Sequence, residues 1–106
     1  MKLRHATTHE RLASIRAEGL RVAKADPTAK IKGCWLHSAS NSPWATVHTI
    51  RKHHAPLEEV VIVEVSVPRS QLKRFRAGVW YTTSDIPASA LGQTWDGTTF
   101  GASASE

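Results

Sequence analysis

The segment from Val60 to Val67, VVIVEVSV, constrains this chain more than any other, because six of its eight residues are β-branched and such side chains favour extended backbone. Glu58 and Glu59 bound it on one side and Pro68 on the other, as turn-forming or polar residues bound strands. Alternation sends Val61, Val63, Val65 and Val67 to one face, and Val60, Ile62, Glu64 and Ser66 to the other. The first half is therefore apolar on both faces. That pattern predicts a central strand with helical cover. A chain of 106 residues has room for one such core.

Two strand–helix units precede it. Leu3 to Thr7 reads as a short strand. Thr7 and Glu10 have the spacing of a capping box for a helix from about Thr8 to Glu18, with Leu12 and Ile15 on one face and Gly19 as its stop. Asp26-Pro27-Thr28 is a turn signal within a loop. Gly33 to Ser38 (GCWLHS) reads as a second strand, and Ser42 with Pro43 starts a second helix that places Trp44, Val47, His48 and Arg51 on one face. Arg51 to His54 give its last turn positive charge, which suits the helix dipole. After the central strand, Ser70 to Arg76 reads as a basic turn or short helix. Gly78 to Thr83 (GVWYTT) reads as a strand, and Ile86-Pro87 as a return segment. The expected class is α+β: a small, twisted, mainly antiparallel sheet with two main helices. Residues 1–100 form one domain in this reading, and 101–106 a flexible tail.

Composition narrows the chemistry. Cys34 is the only cysteine, so no disulfide within the chain and no CxxC metal or redox motif is possible. With no leader-like segment and no apolar run of membrane-spanning length, the expectation is a cytoplasmic chain with no membrane association. Fourteen Lys and Arg against nine Asp and Glu give a net charge of +5, which favours anionic partners such as nucleotides or nucleic acid. Arg69, Lys73, Arg74 and Arg76 concentrate that charge, either as a solvated face or as a grip on phosphates. His48, His53 and His54 lack a neighbouring carboxylate or cysteine, so no metal site is expected. There is no Walker loop, no GxSxG serine and no evident carboxylate pair.

Polar groups recur instead at strand ends: Arg4-His5-Ala6-Thr7-Thr8, Trp35-Leu36-His37-Ser38 and Val79-Trp80-Tyr81-Thr82-Thr83. Helix starts following the first two segments favour anions. In this order, with His5-Ala6-Thr7 followed by Gly19-Leu20, Lys30-Ile31-Lys32 leading to His37-Ser38, and Gly78-Val79-Trp80-Tyr81 before Ile86-Pro87, residues 2–91 resemble the NAD-binding lobe of RNA 2′-phosphotransferases. More broadly they resemble the ADP-ribosyltransferase superfamily.

The resemblance implies that His5 hydrogen-bonds a ribose hydroxyl of NAD, with Thr7 in support and the backbone of Ala6 at the nicotinamide carboxamide. Trp35 stands where that family has a second histidine or a stacking tyrosine, and His37 is a candidate for the missing imidazole. Ser38 and Tyr81 join the cofactor-binding set, and Val79 holds the apolar position that replaces a catalytic glutamate in protein-modifying relatives. Lys32 and Arg51, with Arg69 and Arg74, are candidates for phosphates of NAD or of an RNA or DNA acceptor. The family's N-terminal winged-helix lobe has no counterpart here, so that half of the site is expected either from a partner protein or not at all. A module of the same fold that binds a nucleotide or nucleic acid without catalysis is the alternative.

Overall fold

The β-branched run forms strand β3 (Val60–Ser66), and its first four residues are each at most 1 % exposed. Burying one such side chain contributes about 1.5–3 kcal/mol, so this strand anchors the core. It lies between β1 (Lys2–Thr8) and β6 (Leu91–Asp96), antiparallel to both. The computed structural model describes residues 1–24 and 29–100. Within them β2 (Cys34–His37), β4 (Lys73–Arg76) and β5 (Val79–Thr82) complete one six-stranded antiparallel sheet in the order β4-β5-β2-β1-β3-β6. With helices α1 (His9–Glu18) and α2 (Ser42–His53), this is the expected α+β class with two main helices.

Strand register assigns the faces. Leu3 lies opposite Val65 in the β1–β3 ladder. Leu3, Leu36, Val63 and Val65 form a buried cluster with Leu20 and Ile86, and Ile15 of α1 packs against it. Arg4 alternates with Leu3, lies opposite His37, and reaches Ser42 at the start of α2. The two helices thus cover opposite faces of the sheet. Both pack mainly on β1 and β3.

Several local details differ from the sequence expectation. Thr7 is not a helix cap. The β1–β3 ladder continues through Thr8 opposite Val60, which holds Thr7 inside the sheet, and Thr8 precedes the helix without a side-chain capping bond. Ser42 is likewise the first residue of α2 rather than its cap. Asn41 holds the cap position, and the fully buried Ser42 hydroxyl is taken up by other side chains. The buried face of α2 is Ser42, Ala45, Thr46 and Thr49, leaving Trp44 and His48 exposed. Small side chains let the helix lie close to the strands. The Thr46 and Thr49 hydroxyls donate to the carbonyls of Ser42 and Ala45, each at 2.8 Å, and so are satisfied within the helix.

The basic segment forms a short 3-10 turn (Arg69–Gln71) and then the edge strand β4, and the return segment leads into β6. The turn expected at Asp26-Pro27-Thr28 and the tail 101–106 lie outside the described residues.

Gly19 closes α1 at φ 80°, with its N–H on the Ile15 carbonyl at 2.7 Å. Next to it, Leu20 and Ile86 exchange backbone bonds at 2.9 Å, and a Cβ on Gly19 would overlap the Ile86 carbonyl oxygen. Gly19→Ala is expected to cost more than about 1 kcal/mol, since alanine cannot adopt this backbone without strain. Thermal unfolding should show Tm lower by at least about 4–8 °C. An unchanged Tm would mean that the turn relaxes without penalty.

Candidate functional site

β1 is zipped to β3 at all seven of its residues but pairs with β2 at the single register Arg4–His37. Past that register the two strands part, and a side chain spans the gap. His5 Nδ1 donates to the Trp35 carbonyl oxygen at 2.8 Å. Burial lowers the His5 pKa, against the opposing effect of that bond, and the charges of Lys52, His53 and Arg11 lower it further. The imidazole is therefore neutral at pH 7, with its proton on Nδ1. That leaves Nε2 as a hydrogen-bond acceptor.

Aromatic rings stand on the face of β2 and β5 opposite to that of Leu3, His5 and Leu36. Trp35 lies opposite Tyr81 in the β2–β5 ladder, and their rings are 5.0 Å apart, tilted by 35°. Phe75 of β4 meets Trp35 edge-on at 5.1 Å. Trp35 Nε1 donates to the Ile31 carbonyl at 3.4 Å, and both Trp35 and Tyr81 are half-buried. Trp35 is thus neither a core residue nor an open platform.

His37 lies deeper. It is 4 % exposed, and its Nε2 is 3.3 Å from Ser42 Oγ. Arg4 Nη1 donates to the same hydroxyl at 3.2 Å, so Ser42 joins Arg4 to His37 Nε2. Burial, then the charges of His5 and Arg4, push the His37 pKa down to about 4. A neutral imidazole beside an arginine is the electrostatic solution here.

The remaining candidates are dispersed. Ala6 is half-buried opposite Ile62, and Thr7 is buried opposite Val61. Val79 is buried opposite His37. Ser38 shares a hydrogen bond with Ser40 at 3.1 Å, and its N–H bonds the Gly78 carbonyl. Lys32 and Arg51 are exposed. Arg69 and Arg74 line a hollow of about 280 Å³ with Leu72 and Trp80. Arg74 pairs with Trp80, whereas Lys73 pairs with Tyr81, so this hollow opens on the face away from the Trp35–Tyr81 rings. A second cleft, of about 460 Å³, lies between the start of α1 and the end of α2 and is lined by Thr8, Arg11, His53 and His54 among others. The sheet therefore joins His5 to Trp35 only through the Trp35 carbonyl: His5 lies opposite Val63 on the Leu3 face, whereas Trp35, Tyr81 and His37 share the other face. It does not bring the four phosphate candidates to one place.

Sequence reasoning missed Arg4, Ser42 and Phe75. Arg4 and His37 each occupy the alternate position to an apolar neighbour, Leu3 and Leu36, and that alternation was the available signal. Phe75 is the lone apolar residue in Lys73-Arg74-Phe75-Arg76, a pattern that alternation does not flag. Among the described residues no group of three or more His, Cys, Asp or Glu side chains could hold a metal ion, and no helix is long and apolar enough to cross a membrane. The chain matches no protein-family model and no curated protein sequence.

The state of His37 has a consequence for stability. Its folded pKa, about 4, lies below its value of about 6.5 in an unfolded chain, so the unfolded state binds the extra proton first. Its contribution is complete above pH 6.5 and is lost as pH falls from about 6.5 to 4, to an extent of about 3 kcal/mol. His5 adds to the same trend. Urea unfolding of the protein should weaken across this window, and His37→Gln should flatten the dependence. Equal pH dependence in both proteins would mean that His37 is already charged in the folded state.

Proposed function

We propose that this domain binds NAD where β1 and β2 part and catalyses transfer at the ribose carbon that bears nicotinamide, as an ADP-ribosyltransferase-like enzyme. The acceptor is a phosphorylated or nucleic-acid group, as in RNA 2′-phosphotransferases. The observation that carries this reading is the neutral His5 at the gap, with Nδ1 committed to Trp35 and Nε2 left as an acceptor. A ribose hydroxyl is the donor such a nitrogen takes.

Each residue then has a part. His5 fixes the ribose, with Ala6 and Thr7 beside it on β1. The Trp35 and Tyr81 rings offer flat apolar surface to nicotinamide. Breaking the bond from ribose to nicotinamide releases a neutral leaving group, and the acceptor oxygen bonds to the same carbon. A phosphate acceptor arrives already ionised, so its attack needs no carboxylate base, in keeping with the apolar Val79. Lys32 and Arg51 are the cations for phosphates of NAD or acceptor. Catalysis would rest on orientation and on electrostatic stabilisation of the developing ribosyl cation.

One observation favours a second reading, a binding module without turnover. The His37 Nε2 is already engaged by Ser42 beneath α2, which withholds it from a substrate. NAD consumption measured with and without RNA separates the two.

The primary test is calorimetry with NAD. His5→Ala should weaken binding by about 1–3 kcal/mol, the cost of a lost buried polar partner. Unchanged affinity would remove His5 from the site, and absence of NAD binding by the unaltered protein would remove the reading altogether.

A further inference from the structure

Among the described residues the large hydrophobic side chains standing in water are Met1, Trp44 and Phe75, with Trp44 43 % and Phe75 54 % exposed. Trp44 and Phe75 are tied to one surface. Trp44 stacks on His48 one helical turn away, at 5.3 Å and 16°. The Arg76 guanidinium lies 5.0 Å from the Trp44 ring, which links the helix to the edge strand β4. Next to Arg76 on that strand, Phe75 meets the Trp35 ring. Aromatic side chains and cations therefore alternate across the part of the sheet that α2 leaves uncovered.

The elements that carry this surface are basic, although Arg69 and Arg74 turn to the opposite face. Residues 29–57 and 65–84 supply β2, α2, β4 and β5, and hold eight of the fourteen Lys and Arg but none of the nine Asp and Glu. Every residue of β4, Lys73–Arg76, is exposed. Charged edge strands do guard a sheet against pairing with another sheet. That role accounts for Lys73 and the arginines, but not for an exposed phenylalanine and tryptophan placed among them.

We propose that this surface, centred on Trp44, Phe75 and Arg76, binds single-stranded nucleic acid. Unpaired bases lie against the rings and phosphates meet the cations, the combination by which proteins hold single strands. A duplex hides its base faces in the stack and offers this surface only phosphates. The inference deepens the proposed function by naming its acceptor class, and rests on that reading for the step that follows binding.

The test is fluorescence anisotropy with short labelled oligonucleotides, as single-stranded DNA, single-stranded RNA and duplex DNA, without NAD. Single strands should bind more tightly than duplex, and the DNA and RNA arms decide which sugar is preferred. Trp44→Ala and Phe75→Ala should each weaken single-strand binding about five- to hundredfold, the range for loss of one stacked base. Melting should be nearly unchanged, since both rings are already exposed. Arg76→Gln should lower the slope of log affinity against log salt by about 0.7. Equal affinity for duplex and single strand, indifference to Trp44→Ala, or equally tight binding of poly-glutamate would overturn the proposal. NAD calorimetry on the same variants keeps the two ideas apart. In the unaltered protein, NAD binding without strand binding defeats only this inference. Strand binding without NAD affinity defeats only the preceding one.

Discussion

Burial of β3 on both faces is the constraint from which the rest of the architecture follows. A strand with valine or isoleucine on each side cannot leave either side to water, so one helix is needed above it and one below. Both helices are short, ten residues in α1 and twelve in α2, and cover mainly the β1–β3 half of the sheet. The half formed by β2, β5 and β4 receives no comparable cover on the α2 side. Its side chains there are the aromatic and basic ones, Trp35, Tyr81, Phe75 and Arg76.

The two histidines illustrate how this frame decides protonation. His5 bridges strands that no longer pair, and its ring replaces a ladder hydrogen bond. His37 sits under the first residue of α2, where Arg4 and Ser42 fix its hydrogen bonding. Both are kept neutral by desolvation above all. They differ in what remains available: His5 keeps an uncommitted acceptor in its Nδ1–H form, while the His37 Nε2 is taken up by Ser42.

The strands and helices with strong periodicity were legible from the residues. β3 was plain because β-branched residues fill it, and both helices because Gly19, Pro43 and their spacing mark their limits. β4 and β6 were not. An edge strand such as Lys73–Arg76 has no face to bury, so it carries no alternation, and Leu91–Asp96 contains Gly92, Gln93 and Thr94 between its larger side chains. The face of α2 was misread for a related reason. Large apolar residues usually point inward, but here the close approach of helix to sheet selects Ala45, Thr46 and Thr49. Within the candidate site, His5, Trp35 and Tyr81 were legible as strand residues, whereas the faces they take, and the contact of Arg4 with Ser42, depend on a register that only the folded sheet sets.

The pairing of β1 with β3 also fixes an order of events in synthesis. Lys2 lies opposite Ser66 and Thr8 opposite Val60, so β1 leaves the ribosome before β3 and has no main partner until β3 has been made. Pairings of such long sequence separation form late, because a large loop must close before they are rewarded. A waiting strand rich in valine would be open to association with other nascent chains. β1 reads Lys-Leu-Arg-His-Ala-Thr-Thr, with Leu3 its one large apolar residue. The Arg4 that later meets Ser42 and the His5 that later bridges to Trp35 thus also keep the nascent segment hydrated while it waits.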